Sequence, residues 1–218
     1  DTYQAKFMNI LTLLIGFPIL IYSIILHEIA HGFVADRLGD PTARLSKRLT
    51  LNPIPHIDPV MSLLIPLIML ISTGGQFAFG AAKPVPVDPY NLREGRKDMA
   101  IIAVSGPLTN IMIGILLAIV FNLLTSFGIR NLLILQIIAQ TIYLNFFLAA
   151  LNLIPIPPLD GSRILAAILP KDLAQVLDSI EPFGMFILLF LLFFPLGGFS
   201  LVGVITAIVK TWTGLLGF

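Results

Sequence analysis

The sequence predicts an all-α polytopic membrane protein, a bundle of transmembrane helices that also holds one short membrane-re-entrant β-hairpin. Hydrophobic residues make up 57% of the 218 residues and charged residues only 11%, with a mean hydropathy of +0.97. In soluble domains, roughly a quarter of the residues are charged. Three apolar runs are long enough to cross a bilayer as helices. No internal repeat or linker divides the chain, so we expect one membrane-embedded domain covering residues 1–218.

The charge balance and the lack of cysteine narrow the expected partners. The formal net charge is only +1, so no global positive field favours nucleic acid, and the expected surroundings are the lipid bilayer. Cysteine is absent, which excludes disulfides and thiolate sites. Any bound metal must therefore be held by nitrogen and oxygen atoms. Neither feature predicts an oligomeric state.

The first predicted helix covers Phe7–Leu38, with a bend at Pro18, and Gly39 ends it. No small-residue cleavage site follows, so a removed signal peptide is not expected. By the positive-inside rule, basic residues near its end place that end on the cytoplasmic face and the N-terminus outside. These basic residues are Arg37, Arg44, Lys47 and Arg48.

The next apolar run, Val60–Ser72, has 13 residues with Pro66 in the middle, too few to span upright. The Gly- and Pro-rich residues 73–87 that follow favour short extended segments over helix. A second basic cluster comes after them, formed by Arg93, Arg96 and Lys97. Since basic clusters flank this part of the chain on both sides, residues 60–90 are predicted to enter the membrane and return to the same side.

Two long helices are predicted next. Asp98 is expected to cap a helix over Met99–Phe127, and Leu132–Leu153 forms its antiparallel partner. A shorter amphipathic helix is expected at the cytoplasmic surface over residues 162–180. The apolar residues 183–212 fit either one interrupted span or a tight hairpin.

The motif that carries chemistry is His27-Glu-Ile-Ala-His31, an H-E-x-x-H pattern. On a helix, a spacing of four places both imidazoles on one face, about one turn apart, where they can bind one zinc ion. Glu28 beside the first histidine can then serve as general base. Ionisable groups at bilayer depth are costly, so a metal is a better explanation for them than hydrogen bonding within the bundle.

Catalytic zinc needs a third protein ligand and an open fourth position. Asp160 is the preferred candidate, because it follows a helix that ends on the same predicted side and precedes the permissive Gly161. A helix cap is its alternative role. His56, in a proline-stiffened turn, is a weaker candidate ligand that could instead make a local hydrogen bond.

The Ser105–Asn110 segment could kink its helix or contact substrate, although close helix packing explains it equally well.

The pentad, the long gap and the residues Asn152–Gly161 together resemble the site-2 protease family of intramembrane zinc metalloproteases, in a minimal form without PDZ or CBS domains. The family pattern N-x-x-P-x-P-x-L-D-G corresponds to Asn152–Gly161, with supporting matches at Asn52–Pro59 and Lys83–Val87. The resemblance implies that re-entrant strands pair with the substrate. It also implies residue roles: zinc ligation by His27, His31 and Asp160, catalysis by Glu28, and an assisting role for Asn152, which could steady the oxyanion.

Motif and resemblance together predict an intramembrane zinc metalloendopeptidase that binds one Zn²⁺ per chain and cleaves transmembrane segments of membrane-protein substrates. The expected location is multi-pass in the cell membrane, with the active site towards the cytoplasm. The alternative is a membrane metal-ion transporter that uses a His/Asp site. Transporters usually show paired repeats, which are not evident here, and a permeation site has no use for the Glu28 base.

Overall fold

A computed structural model describes residues 2–72, 82–198 and 200–217. Within these ranges the protein is all-α, and no strand is found. A π-helical turn over Pro59–Leu64 leads into the third helix. The helices are α1 (Thr2–Leu38), α2 (Thr42–Leu45), α3 (Ile65–Ser72), α4 (Arg96–Ser126), α5 (Leu132–Asn152), α6 (Asp160–Ile168), α7 (Lys171–Phe193) and α8 (Leu201–Leu215).

Four helices in the described ranges are long and apolar enough to cross a membrane: α1 from Ile15 onwards, α4, α5 and α7. The helix α8 and the π-turn with α3 are shorter than a span. This confirms the all-α, multi-pass class. The predicted β-hairpin falls largely on residues 73–81, which lie outside the described residues. The adjoining residues 82–88 are described, and they run without helix or strand assignment.

Helix α4 lies at the centre of the bundle, where it packs against α1, α5 and α6. A core cluster fills the space between α5, α7 and α8, including Phe146, Leu188 and Ile205. In lipid, such contacts depend on close packing more than on burial of apolar surface, so small residues matter. Gly114 shows this, because a Cβ there would lie 2.5 Å from Cε1 of Phe146.

The expected cap at Asp98 is wrong. Helix α4 begins at Arg96, and Gly95 occupies the N-cap position with a φ of 53°. Asp98 lies buried inside the first turn, where its Oδ2 accepts a hydrogen bond from the backbone N–H of Glu94 at 2.7 Å. The carboxylate of Asp98 therefore bonds to a residue that precedes the helix, and α4 begins before Asp98.

The single surface helix expected over residues 162–180 is divided in two. Helix α6 ends at Ile168, and α7 begins at Lys171 directly after Pro170. Proline has no N–H to continue the first helix but suits the start of the second. Helix α7 then continues to Phe193 as a candidate span and contacts α8, which favours the hairpin interpretation of the tail.

Asp40 joins the end of α1 to the segment that precedes α4. It is fully buried, at 0% exposure. Its carboxylate accepts hydrogen bonds from the backbone N–H of Asp88 at 2.7 Å, from the amide of Asn91 at 3.0 Å, and from the N–H and hydroxyl of Thr42. The two basic stretches therefore lie at the same end of the bundle, as predicted.

The Asp40→Asn variant is expected to unfold more easily at neutral pH, by about 1–3 kcal/mol, because an amide nitrogen would face hydrogen-bond donors. Burial by itself raises the pKa of Asp40, but the hydrogen bonds from Thr42, Asn91 and Asp88 outweigh it and hold the pKa below its usual value. The stabilisation is therefore present above the unfolded-state pKa of about 3.9 and is lost as the pH falls through the folded-state pKa.

Thermal unfolding in detergent, followed between about pH 7 and pH 3, measures this effect. The difference between wild type and Asp40→Asn should be largest at neutral pH and should narrow in acid. The same change at Asp172, which is exposed, is the control and should leave the unfolding midpoint unchanged. Equal midpoints for wild type and Asp40→Asn at neutral pH would contradict the role given to Asp40.

Candidate metal centre

Helix α1 brings His27 and His31 together on one face, as their spacing predicts. Both residues are buried, at 5% and 8% exposure. Their Nε2 atoms lie 3.0 Å apart, and the rings meet edge to face with centroids separated by 4.6 Å. Two imidazole nitrogens thus point at one small volume inside the bundle.

Asp160 reaches the same volume from the first residue of α6. Its Oδ2 lies 3.1 Å from Nε2 of His27 and 3.3 Å from Nε2 of His31. The next residue, Gly161, makes this placement possible, since a Cβ there would lie 2.3 Å from the carbonyl oxygen of Leu153. Only glycine lets α6 start so close to the end of α5.

The second ring nitrogen of each imidazole, Nδ1, also has a hydrogen-bond partner. Nδ1 of His27 lies 2.6 Å from Oδ1 of Asn110, and Nδ1 of His31 lies 2.7 Å from the carbonyl oxygen of Ile102. Both partners belong to α4. A carbonyl oxygen can only accept, so the Nδ1 of His31 carries hydrogen and donates, which in the neutral ring leaves the lone pair on Nε2.

The donor set fits a divalent cation. Among the described residues, Asp160 Oδ2 is a buried oxygen without a hydrogen-bond partner. It faces the lone pair of His31, an arrangement that is unfavourable unless a positive charge lies between them. Ligands at ~2.0–2.1 Å from a tetrahedral zinc lie about 3.3 Å from one another, close to the separations of 3.0, 3.1 and 3.3 Å found here. His27, His31 and Asp160 therefore form a candidate metal group.

Glu28 lies beside this group and is half-buried. Its Oε2 accepts a hydrogen bond of 2.7 Å from the backbone N–H of Val85. Val85 belongs to residues 82–88, which are fixed at other points as well: the N–H of Lys83 donates to the carbonyl of His56, and the guanidinium of Arg48 donates to the carbonyl of Lys83. The candidate base is thus tied to a loop segment from outside its own helix.

Two other sequence candidates have local partners. The amide of Asn152 donates to the carbonyl of Leu148 in its own helix at 3.0 Å. The Nε2 of His56 donates to the carbonyl of Thr50 at 2.9 Å. His56 does not belong to the candidate metal group formed within the described ranges. The assisting role of Asn152 stays a prediction.

Several contacts at the site were not predicted. The Ser105–Asn110 segment was expected to kink its helix, contact substrate or pack closely, and the contact of Asn110 with His27 was not predicted. Gly106 faces the imidazoles so closely that a Cβ would lie 2.5 Å from His31 Nε2 and 2.6 Å from His27 Cε1. Only the Gly-Pro step at residues 106 and 107 hinted at a close approach. The main-chain contacts of Ile102 and Val85 leave no side-chain signal in the sequence.

Comparison with known proteins identifies relatives of the chain. The family model described as "Peptidase family M50" matches residues 128–195, which include Asn152 and Asp160. The chain is 34% identical over 187 residues to "Putative zinc metalloprotease YwhC" of Bacillus subtilis (strain 168), a match covering 84% of this chain and 81% of YwhC. No solved structure matches the chain.

More distant relatives are longer than this chain. "Putative zinc metalloprotease Rip2" of Mycolicibacterium smegmatis is 31% identical over 183 residues, covering 79% of this chain and 64% of Rip2. "Zinc metalloprotease MJ0392" of Methanocaldococcus jannaschii is 30% identical over 155 residues, covering 71% of this chain and 34% of MJ0392. The extent of the match to YwhC identifies the family: this chain belongs to peptidase family M50, the zinc metalloproteases that the sequence resembles.

Proposed function

We propose that this protein is an intramembrane zinc metalloendopeptidase that cleaves transmembrane segments of membrane-protein substrates. One observation carries the proposal: a His-His-Asp group lies buried inside a bundle of span-length helices, with a glutamate beside it. His31 is seven residues before the end of α1 at Leu38, about 10 Å along the helix. Water can reach that depth past an irregular, protein-walled segment.

In this proposal His27, His31 and Asp160 hold one Zn²⁺ per chain. Bound zinc lowers the pKa of water and polarises a scissile carbonyl. Glu28 takes the proton from the attacking water and later returns it to the leaving amine. Its position next to His27, half-buried and accepting a backbone N–H, supports this role.

The substrate has to be extended before it is cut, because a helical peptide bond is shielded by its own turn. We propose that an extended substrate lies beside residues 82–88, where β-strand addition would bring it next to Glu28. The 2.7 Å contact between Val85 and Glu28 supports this location. Asn152 is proposed to help steady the oxyanion, for which its amide would leave the carbonyl of Leu148.

The orientation in the membrane is also a proposal. The basic stretches around α2 and at the start of α4 lie at the end of the bundle where Asp40 joins them. By the positive-inside rule this end faces the cytoplasm, which places the metal group towards the cytoplasmic side of the cell membrane.

The Glu28→Gln variant tests the enzymatic function. It is expected to keep one zinc per chain while cleavage of a single-span model substrate with helix-breaking residues falls by about 100- to 10,000-fold, the usual contribution of a general base. Cleavage and zinc content are measured on the full chain in detergent and in proteoliposomes.

The matched control is Glu94→Gln, since Glu94 is 62% exposed and pairs with Lys97 at 3.2 Å. It should cleave like wild type. Undiminished cleavage by Glu28→Gln would refute the proposed role of Glu28. Zinc uptake into proteoliposomes without any cleavage by wild type would favour the transporter instead.

A further inference from the structure

Two fully buried asparagines connect the metal group to the middle of α5. Asn110 of α4 and Asn145 of α5 are both 0% exposed, and Ser23 of α1 beside them is 4% exposed. Polar groups buried this deeply in apolar helices are costly unless they are fully hydrogen-bonded. Their hydrogen bonds form one continuous chain that ends on His27.

The chain of hydrogen bonds starts at the main chain of α5. The Nδ2 of Asn145 lies 2.9 Å from the carbonyl oxygen of Thr141 and 3.0 Å from the hydroxyl of Ser23. A carbonyl oxygen can only accept, so the nitrogen end of the Asn145 amide must face it. The oxygen end, Oδ1, therefore faces Asn110.

The orientation of Asn110 follows in the same way. Its Nδ2 lies 2.9 Å from Oδ1 of Asn145 and 3.3 Å from the carbonyl oxygen of Ser23, which are both acceptors. Its own Oδ1 is then the atom that lies 2.6 Å from Nδ1 of His27. An oxygen in that position requires hydrogen on Nδ1, so the lone pair of His27 is on Nε2, the atom that faces His31 and Asp160.

We propose that Asn110 and Asn145 are positioning residues that fix the ring orientation and tautomer of His27 for metal binding. This inference rests on the metal site of the proposed function. For His31, the carbonyl oxygen of Ile102 fixes the ring orientation and tautomer directly. No side-chain substitution removes this main-chain oxygen. His27 depends on two side chains, so its half of the site can be weakened by mutation while the half formed by His31 stays intact.

Zinc affinity of the full chain, measured by competition with a chelator, gives the first readout. Asn110→Leu removes the acceptor and is expected to weaken zinc binding roughly 10- to 100-fold, as loss of such outer partners usually does. Asn145→Leu should weaken it less, because Ser23 still orients Asn110. Equal affinities for wild type and Asn110→Leu would overturn the proposal.

The second readout is the proton spectrum of the zinc-loaded protein. The chain has three histidines, and each one has a ring nitrogen next to an oxygen: His27 at Asn110, His31 at Ile102 and His56 at Thr50. We therefore expect three downfield ring N–H resonances, of which Asn110→Leu should displace one. An unchanged set of three resonances in Asn110→Leu would overturn the proposal.

The matched control is Asn122→Leu, the same change on α4 at an exposed residue that bonds to the carbonyl of Leu216. It should keep both the zinc affinity and all three resonances. These readouts do not require proteolysis, so they separate the two proposals. Normal zinc binding by Asn110→Leu defeats only the positioning role, whereas the absence of any cleavage by zinc-loaded wild type defeats only the enzymatic function.

Discussion

Replacing Asp160 by alanine is expected to leave the purified protein with little zinc and with no proteolysis above the uncatalysed background. Its Oδ2 is a buried oxygen within 3.1 and 3.3 Å of the two imidazole nitrogens. Two histidines without the carboxylate supply neither the ligand number nor the charge of a catalytic zinc site. Metal analysis and cleavage of the single-span substrate measure the result.

His56 provides the comparison, because it was the other candidate for the third ligand. His56→Ala removes a ring that donates to the carbonyl of Thr50 and should leave zinc content at one ion per chain. If Asp160→Ala kept its zinc and His56→Ala lost it, the assignment of the third ligand would be reversed.

A methyl group at Gly106 is expected to remove zinc almost as effectively as loss of a ligand. A Cβ there would lie 2.5 Å from His31 Nε2 and 2.6 Å from His27 Cε1, so both rings would have to move. Displacements near 1 Å at a reacting centre can cost about 100-fold in rate, and here the proposed metal ligands themselves are displaced. Gly106→Ala should therefore show low zinc content and cleavage reduced at least about 100-fold.

Gly114→Ala separates this effect from ordinary overpacking. It lies on the same helix, and its added Cβ would also come within 2.5 Å of a neighbour, but that neighbour is the ring of Phe146. It should lower thermal stability by about 1–3 kcal/mol while keeping one zinc per chain. Zinc loss in both variants would mean that α4 packing in general, and not contact with the imidazoles, controls the metal site.

The long helices were predictable because their apolar length alone determines them. Helices α4 and α5 begin and end within a few residues of the predicted bounds. Helix α1 ends at the predicted residue, Leu38, and begins earlier than predicted. Helix boundaries depended on weaker local effects. Asp98 is a good capping residue, yet the helix starts before it, and Pro170 divides a pattern that looked continuous.

Some contacts of the candidate site could likewise be predicted from the sequence, and others could not. The approach of His27 to His31 follows from helix geometry, because four residues make about one turn. Bringing Asp160 to them requires a contact across more than a hundred residues, for which the sequence offered topology and the family resemblance. The partner of His31 on α4 could not be predicted, because a main-chain carbonyl such as that of Ile102 exists in every residue and only packing selects it.

The hydrogen bond between Val85 and Glu28 has a mechanical consequence. Residues 82–88 are anchored at one end by the carbonyl of His56 and at the other by the carboxylate of Asp40, with Glu28 held between these two anchors. A molecule that displaces this segment would also disturb the hydrogen bond that Glu28 accepts. In the proposed enzyme, the same segment would therefore affect both the approach of a substrate and the orientation of the proposed general base.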